Sequence, residues 1–145
     1  MHLSTLFFRS TGDAAISLSP SITSRGGTVA LWATQIAMAR MFLFAGGLKL
    51  TGADIEVQLF DAIGIGQWFR YLTGSIEVTG ALLLVSPQLA LYGALLLIPT
   101  MLGAIASHWF VIGGSPVPAI VLLVGSSAIA WLRPHQLAGA LARTR

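Results

Sequence analysis

The sequence predicts an all-α membrane protein: a four-transmembrane-helix bundle with a short interfacial segment between the first two helices. Three observations predict it. Hydrophobic residues make up 55% of the 145 and charged residues only 9%, against roughly 25% charged in an ordinary soluble domain. Four stretches are apolar over about the 20 residues that a bilayer demands of a helix. Breakers separate them at Gly52, Ser86-Pro87 and Gly113-Gly114-Ser115-Pro116. Five acids and eight bases cannot supply a water-facing surface, and a lipid solvent removes that need.

In chain order, residues 1–27 are rich in Ser, Thr and Gly, with Leu6-Phe7-Phe8 as the one apolar cluster. A cleaved secretory signal needs a basic start and a longer apolar core. The segment therefore reads as a flexible N-terminal tail, or as the product of a start codon placed too far upstream. The membrane domain is expected over 28–133, with spans at 28–50, 68–85, 87–112 and 117–132. A basic tail, 134–145, follows. The second and fourth spans are short and must tilt little or borrow interfacial residues. Between the first two spans, Ile55, Leu59, Phe60 and Ile63 recur at helical spacing beside Asp54, Glu56 and Asp61. That pattern predicts a short helix on the membrane surface or a cap on the bundle.

An even number of spans puts both termini on one side. Arg9, Arg25, Arg133, Arg143 and Arg145 flank that side, and Lys49 and Arg70 the other. Cations favour the cytoplasm, so an inner-membrane location with cytoplasmic termini is expected. Trp68, Trp109 and Trp131 fall at helix ends, where an amphipathic ring prefers the interface.

Ionisable groups at membrane depth are the candidate site: Arg40, Lys49, Arg70, Glu77 and His108. A central Arg costs roughly 2.5–3.5 kcal/mol on insertion scales, so it should find a partner. Ala33, Ala37, Arg40, Phe44 and Gly47 share one face of the first span. Thr73, Gly74, Gly80 and Ala81 accompany Glu77 on the second. Small residues permit close approach, so the expectation is that these stripes face each other and that Arg40 pairs with Glu77. Lys49 lies nine residues beyond Arg40, about 180° round the helix. It is an interfacial anchor or part of a polar pocket. Arg70 shares the Glu77 face, two turns nearer the end, and closes a cleft or meets headgroups. His108, with Met101, Ala104 and Ile105 on its face, is a hydrogen-bonded core residue or a ligand. Pro99 should kink the third span and free the Leu95 carbonyl near the bundle centre. Gly125, Ser126, Ser127 and Ala128 form a small patch suited to tight packing inside the bundle or to a dimer contact.

Several chemistries are excluded. There are no cysteines, hence no disulfides, thiolate metal sites, iron–sulfur ligation or cysteine redox chemistry by this chain. A lone membrane histidine is too few ligands for haem or zinc, and no metal site is expected. The bases are too scattered for nucleic acid. Gly64-Ile65-Gly66 is no phosphate loop, since no strand precedes it and no Gly-Lys-Ser/Thr follows. No serine or threonine sits by a His–acid arrangement that would activate it.

The stretch Arg40-Met-Phe-Leu-Phe-Ala-Gly-Gly-Leu-Lys49-Leu-Thr-Gly52 is followed by Gln67-Trp-Phe-Arg70-Tyr-Leu-Thr-Gly74 and Glu77-Val-Thr-Gly80. Together with Met101-Leu-Gly-Ala104 and His108, these motifs resemble the DoxX and DoxX-like membrane proteins over residues 36–108. The resemblance implies a four-helix inner-membrane protein in which Arg40, Lys49, Glu77 and His108 occupy the family's polar positions. The family takes its name from a subunit of a thiosulfate–quinone oxidoreductase, and some relatives are associated with quinone or oxidative-stress responses. The expected function is a redox-associated subunit that holds a quinone or another small lipophilic molecule between its helices. The ligands would be Arg40 and His108, with Glu77 holding Arg40 or relaying a proton. The chain has no electron carrier of its own, so a redox-enzyme partner or bound cofactor is implied. Two alternatives stand beside this reading: a scaffold that docks a soluble enzyme, and a carrier acting as a homo-oligomer.

Overall fold

The computed structural model describes residues 25–133, which form helices joined by short connections. The helices are α1 (Arg25–Thr51), α2 (Asp54–Ile63), α3 (Gln67–Leu84), α4 (Ala90–Ser107) and α5 (Val117–Trp131). A π-helical turn, His108–Ile112, prolongs α4. Two stretches, Gly26–Thr51 and Ala90–Ile112, are long and apolar enough to cross a membrane. The predicted tails lie outside the described residues, except that α1 begins at Arg25 rather than at 28. The Asp54–Ile63 segment forms the short helix that its periodicity predicted.

The breaks have identifiable causes. Gly52 takes φ +73°, while the Ala53 amide bonds the Leu48 carbonyl at 3.0 Å and the Gly52 amide bonds that of Lys49 at 3.4 Å. This is a Schellman end, in which glycine's left-handed backbone satisfies the last carbonyls. Gly64, also left-handed, ends α2 with bonds to Phe60 and Asp61. At Ser86-Pro87 a tight turn hands α3 over to α4, with the Ala90 amide bonded to the Ser86 carbonyl at 3.0 Å. Helix α4 runs through Pro99 unbroken. Pro99 and Leu95 are both exposed, so the freed carbonyl lies on the outer face and not at the centre.

Helix α3 packs between α1 and α4, and α4 continues to α5, which touches α1. Helix α2 lies against α3 and the π turn. The core joins Ala39 and Phe42 of α1, Ala81 and Leu84 of α3, Leu97 and Met101 of α4, and Leu122 and Ile129 of α5. Glycines set the separations. A Cβ on Gly93 would lie 2.7 Å from the Gly80 carbonyl oxygen, and one on Gly125 would overlap the Met38 thioether. Large apolar side chains are also exposed on the outer surface: Phe44 is 70% exposed, Phe110 82% and Trp131 84%. Soluble proteins rarely leave large contiguous apolar surface to water.

Candidate functional site

Gln35, Ala39, Phe42 and Gly46 are the buried positions of α1. Their spacing of four, three and four residues continues to Lys49 and defines one helical face. At Gly46 that face meets Gly74 of α3 backbone to backbone. A Cβ on Gly46 would sit 2.9 Å from the Gly74 carbonyl oxygen, and one on Gly74 would sit 3.1 Å from that of Gly46. This close crossing brings Lys49 onto Glu77, which is 2% exposed.

The Lys49 ammonium serves two carboxylates. It lies 3.2 Å from Glu77 Oε2 and 3.6 Å from Glu56 Oε1 of α2. Both are ion pairs; among the described residues Glu77 Oε2 has Lys49 as its one partner, and Glu56 Oε2 is buried with no donor. Arg70, 3% exposed, completes the group. Its Nη1 donates to the Lys49 carbonyl, its Nε donates to Gln67 Oε1 at 2.6 Å, and its guanidinium lies 4.2 Å from the Tyr71 ring centre. A cation thus caps the negative end of α1, where unpaired carbonyls and the helix dipole favour it. Gln67 ties α2 down through the Val57 carbonyl at 3.0 Å and Asp61 Oδ1 at 2.7 Å, while Phe60 meets Phe69 edge to face.

Of the five residues singled out in the sequence, Lys49, Arg70 and Glu77 come together, whereas Arg40 and His108 do not join them. The expected Arg40–Glu77 pair is replaced by Lys49–Glu77. Ala33, Ala37, Arg40 and Phe44 are all exposed, so the small-residue stripe faces outward. The opposition of Arg40 and Lys49 round the helix is real, and Lys49 is the one that faces α3. His108 Nδ1 lies 3.0 Å from the Gly113 carbonyl oxygen. That oxygen can only accept, so Nδ1 carries the proton and the ring braces its own π turn. Among the described residues no three His, Asp or Glu side chains gather as a metal site needs. Glu56 and Gln67 were not singled out in the sequence. The signal for the face they cover is the run Gln35, Phe42, Lys49 at seven-residue intervals.

A second polar group joins the other ends of the helices. Gln35, fully buried, donates through Nε2 to the Leu84 carbonyl at 2.9 Å. Its Oε1 accepts from Arg133 Nη2 at 2.7 Å, and Arg133 Nη1 reaches the Pro87 carbonyl at 2.8 Å. One fork therefore fastens α1, the α3–α4 turn and the end of α5. The Trp32 ring lies 5.9 Å from the same guanidinium.

Residues 33–133 match the DoxX-like family. That range takes in both polar groups and runs from α1 to the residue that closes the fork. No curated protein and no solved structure matches the chain. Family and apolar helices point together to a membrane protein, and the extent of the match settles its kinship: the chain belongs to the DoxX-like family.

Proposed function

We propose that the chain is a four-span protein of the inner membrane with cytoplasmic termini. In this reading it serves a redox system by holding a lipophilic molecule with hydrogen-bond donors, of which a quinol is the type, at Lys49, Glu56 and Glu77. The apolar outer surface and the length of α1 and α4 support the spans. Both charged groups of α3 are satisfied inside the protein, which lets that helix enter lipid. Helix α5, with 15 residues, rises about 22 Å and needs local thinning of the bilayer or interfacial ends. The cations near α2, Lys49 and Arg70, are engaged internally, whereas Arg9, Arg25, Arg143 and Arg145 lie toward the termini. That asymmetry supports the orientation.

The observation that carries the binding reading is the buried Glu56 Oε2, which no donor fills, beside a Glu77 Oε2 whose one partner is the Lys49 ammonium. A buried acceptor left unpaired costs about 1–3 kcal/mol, more when charged. Hydroxyl groups from a lipid-soluble molecule would recover it. Lys49 holds both carboxylates in place, and Glu56, carried on α2, closes the site. A bound quinol supplies two-electron, two-proton chemistry. The chain's residues orient its hydroxyls, exclude water and offer carboxylates as proton acceptors. A quinone ring, which has only acceptors, would find Lys49 alone.

Purified protein should therefore carry quinone or quinol in native mass spectrometry. Added quinol should raise its melting temperature more than the oxidised form does, by the equivalent of about 2.7 kcal/mol at a hundredfold excess over Kd. Glu56→Met should abolish that difference. No co-purifying quinone and no shift with either form would overturn the binding reading.

A further inference from the structure

We infer that Arg40 is a binding residue for the phosphate of an anionic phospholipid in the leaflet on the Arg133 side. The inference rests on the membrane reading above but not on quinol binding. Arg40 is exposed on the outer face of α1, among Ala33, Ile36, Ala37, Met41 and Phe44. No partner for it exists among the described residues. The described acids lie elsewhere, Asp54, Glu56 and Asp61 on α2 and Glu77 in its pair with Lys49.

The fork at the other end fixes how deep Arg40 sits. The Leu84 and Pro87 carbonyls belong to the end of α3 and the following turn, and irregular backbone cannot stay in lipid. Gln35 and Arg133 bond those carbonyls, and Trp131 beside them is 84% exposed, as interfacial tryptophans are. The layer through Gln35 is therefore the membrane boundary. Arg40 follows Gln35 by five residues, an axial rise of about 7.5 Å. Helical side chains lean toward the N-terminus, which here is toward that boundary. An extended arginine covers a comparable length, so its guanidinium reaches the headgroups. Ala37 and Ala33, about one and two turns toward the N-terminus on the same face, leave its path open. A second copy packed symmetrically on this face would oppose two Arg40 side chains, so charge favours a lipid occupant.

The test is competition in mixed phosphatidylcholine–phosphatidylglycerol nanodiscs, reading lipids retained after transfer to detergent by native mass spectrometry. Wild-type protein should retain phosphatidylglycerol, and Arg40→Leu should lower that retention about fivefold, the effect of one basic residue near a charged surface. Arg40→Lys should keep part of it. The melting temperature of Arg40→Leu should not fall, because no described side chain loses a partner. Unchanged lipid retention in Arg40→Leu overturns the inference. So does loss of a dimer in that variant with lipid retention unaltered, which would assign the face to a second copy. Quinol binding should survive Arg40→Leu, so a failure here leaves the proposed ligand site standing. A chain that needs no detergent would instead remove both readings.

Discussion

The two polar groups lie at opposite ends of the same helices, and they are built on different principles. At the Arg133 end, most strong donors and acceptors meet one another: Gln35 with Leu84 and Arg133, and Arg133 with Pro87. Only Arg133 Nε is buried without a partner there. The α2 end holds two carboxylates on one ammonium and leaves Glu56 Oε2 buried without a donor, with Glu77 Oε2 held by Lys49 alone. Buried polar groups that are fully paired stabilise and specify a structure, whereas partly satisfied ones demand an explanation. On the proposed reading the first group is a fastener and the second the ligand site.

The sharpest way to break that contrast is at Lys49. Lys49→Met strands two buried carboxylates at once, and removing one partner of a buried ion pair costs about 3–5 kcal/mol. Glu77→Ala strands one ammonium that Glu56 still holds, so it should be milder. Combining Lys49→Met with Glu77→Gln should recover part of the loss. Adding Arg40→Leu to Glu77→Ala should recover none. Reversible unfolding in detergent measures all four, and rescue by Arg40→Leu would contradict the pairing described here.

Glycine substitutions come next, and they test whether the close crossing carries the site. Gly46→Ala places a Cβ 2.9 Å from the Gly74 carbonyl oxygen, which cannot move without shifting α3. Overpacking of this kind costs about 1–3 kcal/mol, and it should separate Lys49 from Glu77 as well. Gly47→Ala meets nothing within 4 Å and should be neutral, or stabilise by up to about 1 kcal/mol through helix propensity. Equal melting temperatures for the two variants would show that α1 and α3 do not cross at Gly46.

These neighbouring glycines also show what was legible in the sequence. Helix positions were readable because breakers such as Gly52 and Ser86-Pro87 act locally, and the amphipathic pattern of α2 is local too. Rotation of α1 was not. Apolar residues surround that helix, so no stripe points to the core, and Ala and Gly occur on both faces. Small residues on the Arg40 face looked like a packing seam, yet the buried face carries Phe42 with Gln35 and Lys49. What decided the rotation was a contact 28 residues away in sequence, Gly46 on Gly74, together with the Arg70 cap on the end of α1. The one local trace is the seven-residue spacing of Gln35, Phe42 and Lys49. The Arg133 fork was equally hidden, since Gln35 and Arg133 are 98 residues apart and each alone reads as an ordinary polar residue near a helix end.

Gln35→Leu tests the fastener. It leaves the Leu84 carbonyl and the Arg133 guanidinium short of a partner and should cost about 1–3 kcal/mol. Quinol-dependent stabilisation at the other end should be unaffected. If Gln35→Leu also abolishes ligand binding, the two groups are coupled through α1 and the division between fastener and site does not hold.

The smallest effect is expected at Gln67, the residue that ties the short helix to the site. Gln67→Ala removes bonds to the Val57 carbonyl and to Asp61 but leaves Phe60 packed on Phe69. Global stability should fall by about 0.5–1.5 kcal/mol, the net worth of an ordinary hydrogen bond. Helix α2 is bounded by left-handed glycines at positions 52 and 64 and depends on few contacts, so it should open more often than α3 or α4. Hydrogen exchange should therefore quicken across Asp54–Ile63 in Gln67→Ala while the amides of α3 and α4 keep their rates. Because Glu56 rides on α2, ligand release should quicken with it. Uniform exchange changes across all helices would make α2 part of the rigid core rather than the movable cover of the Lys49 site.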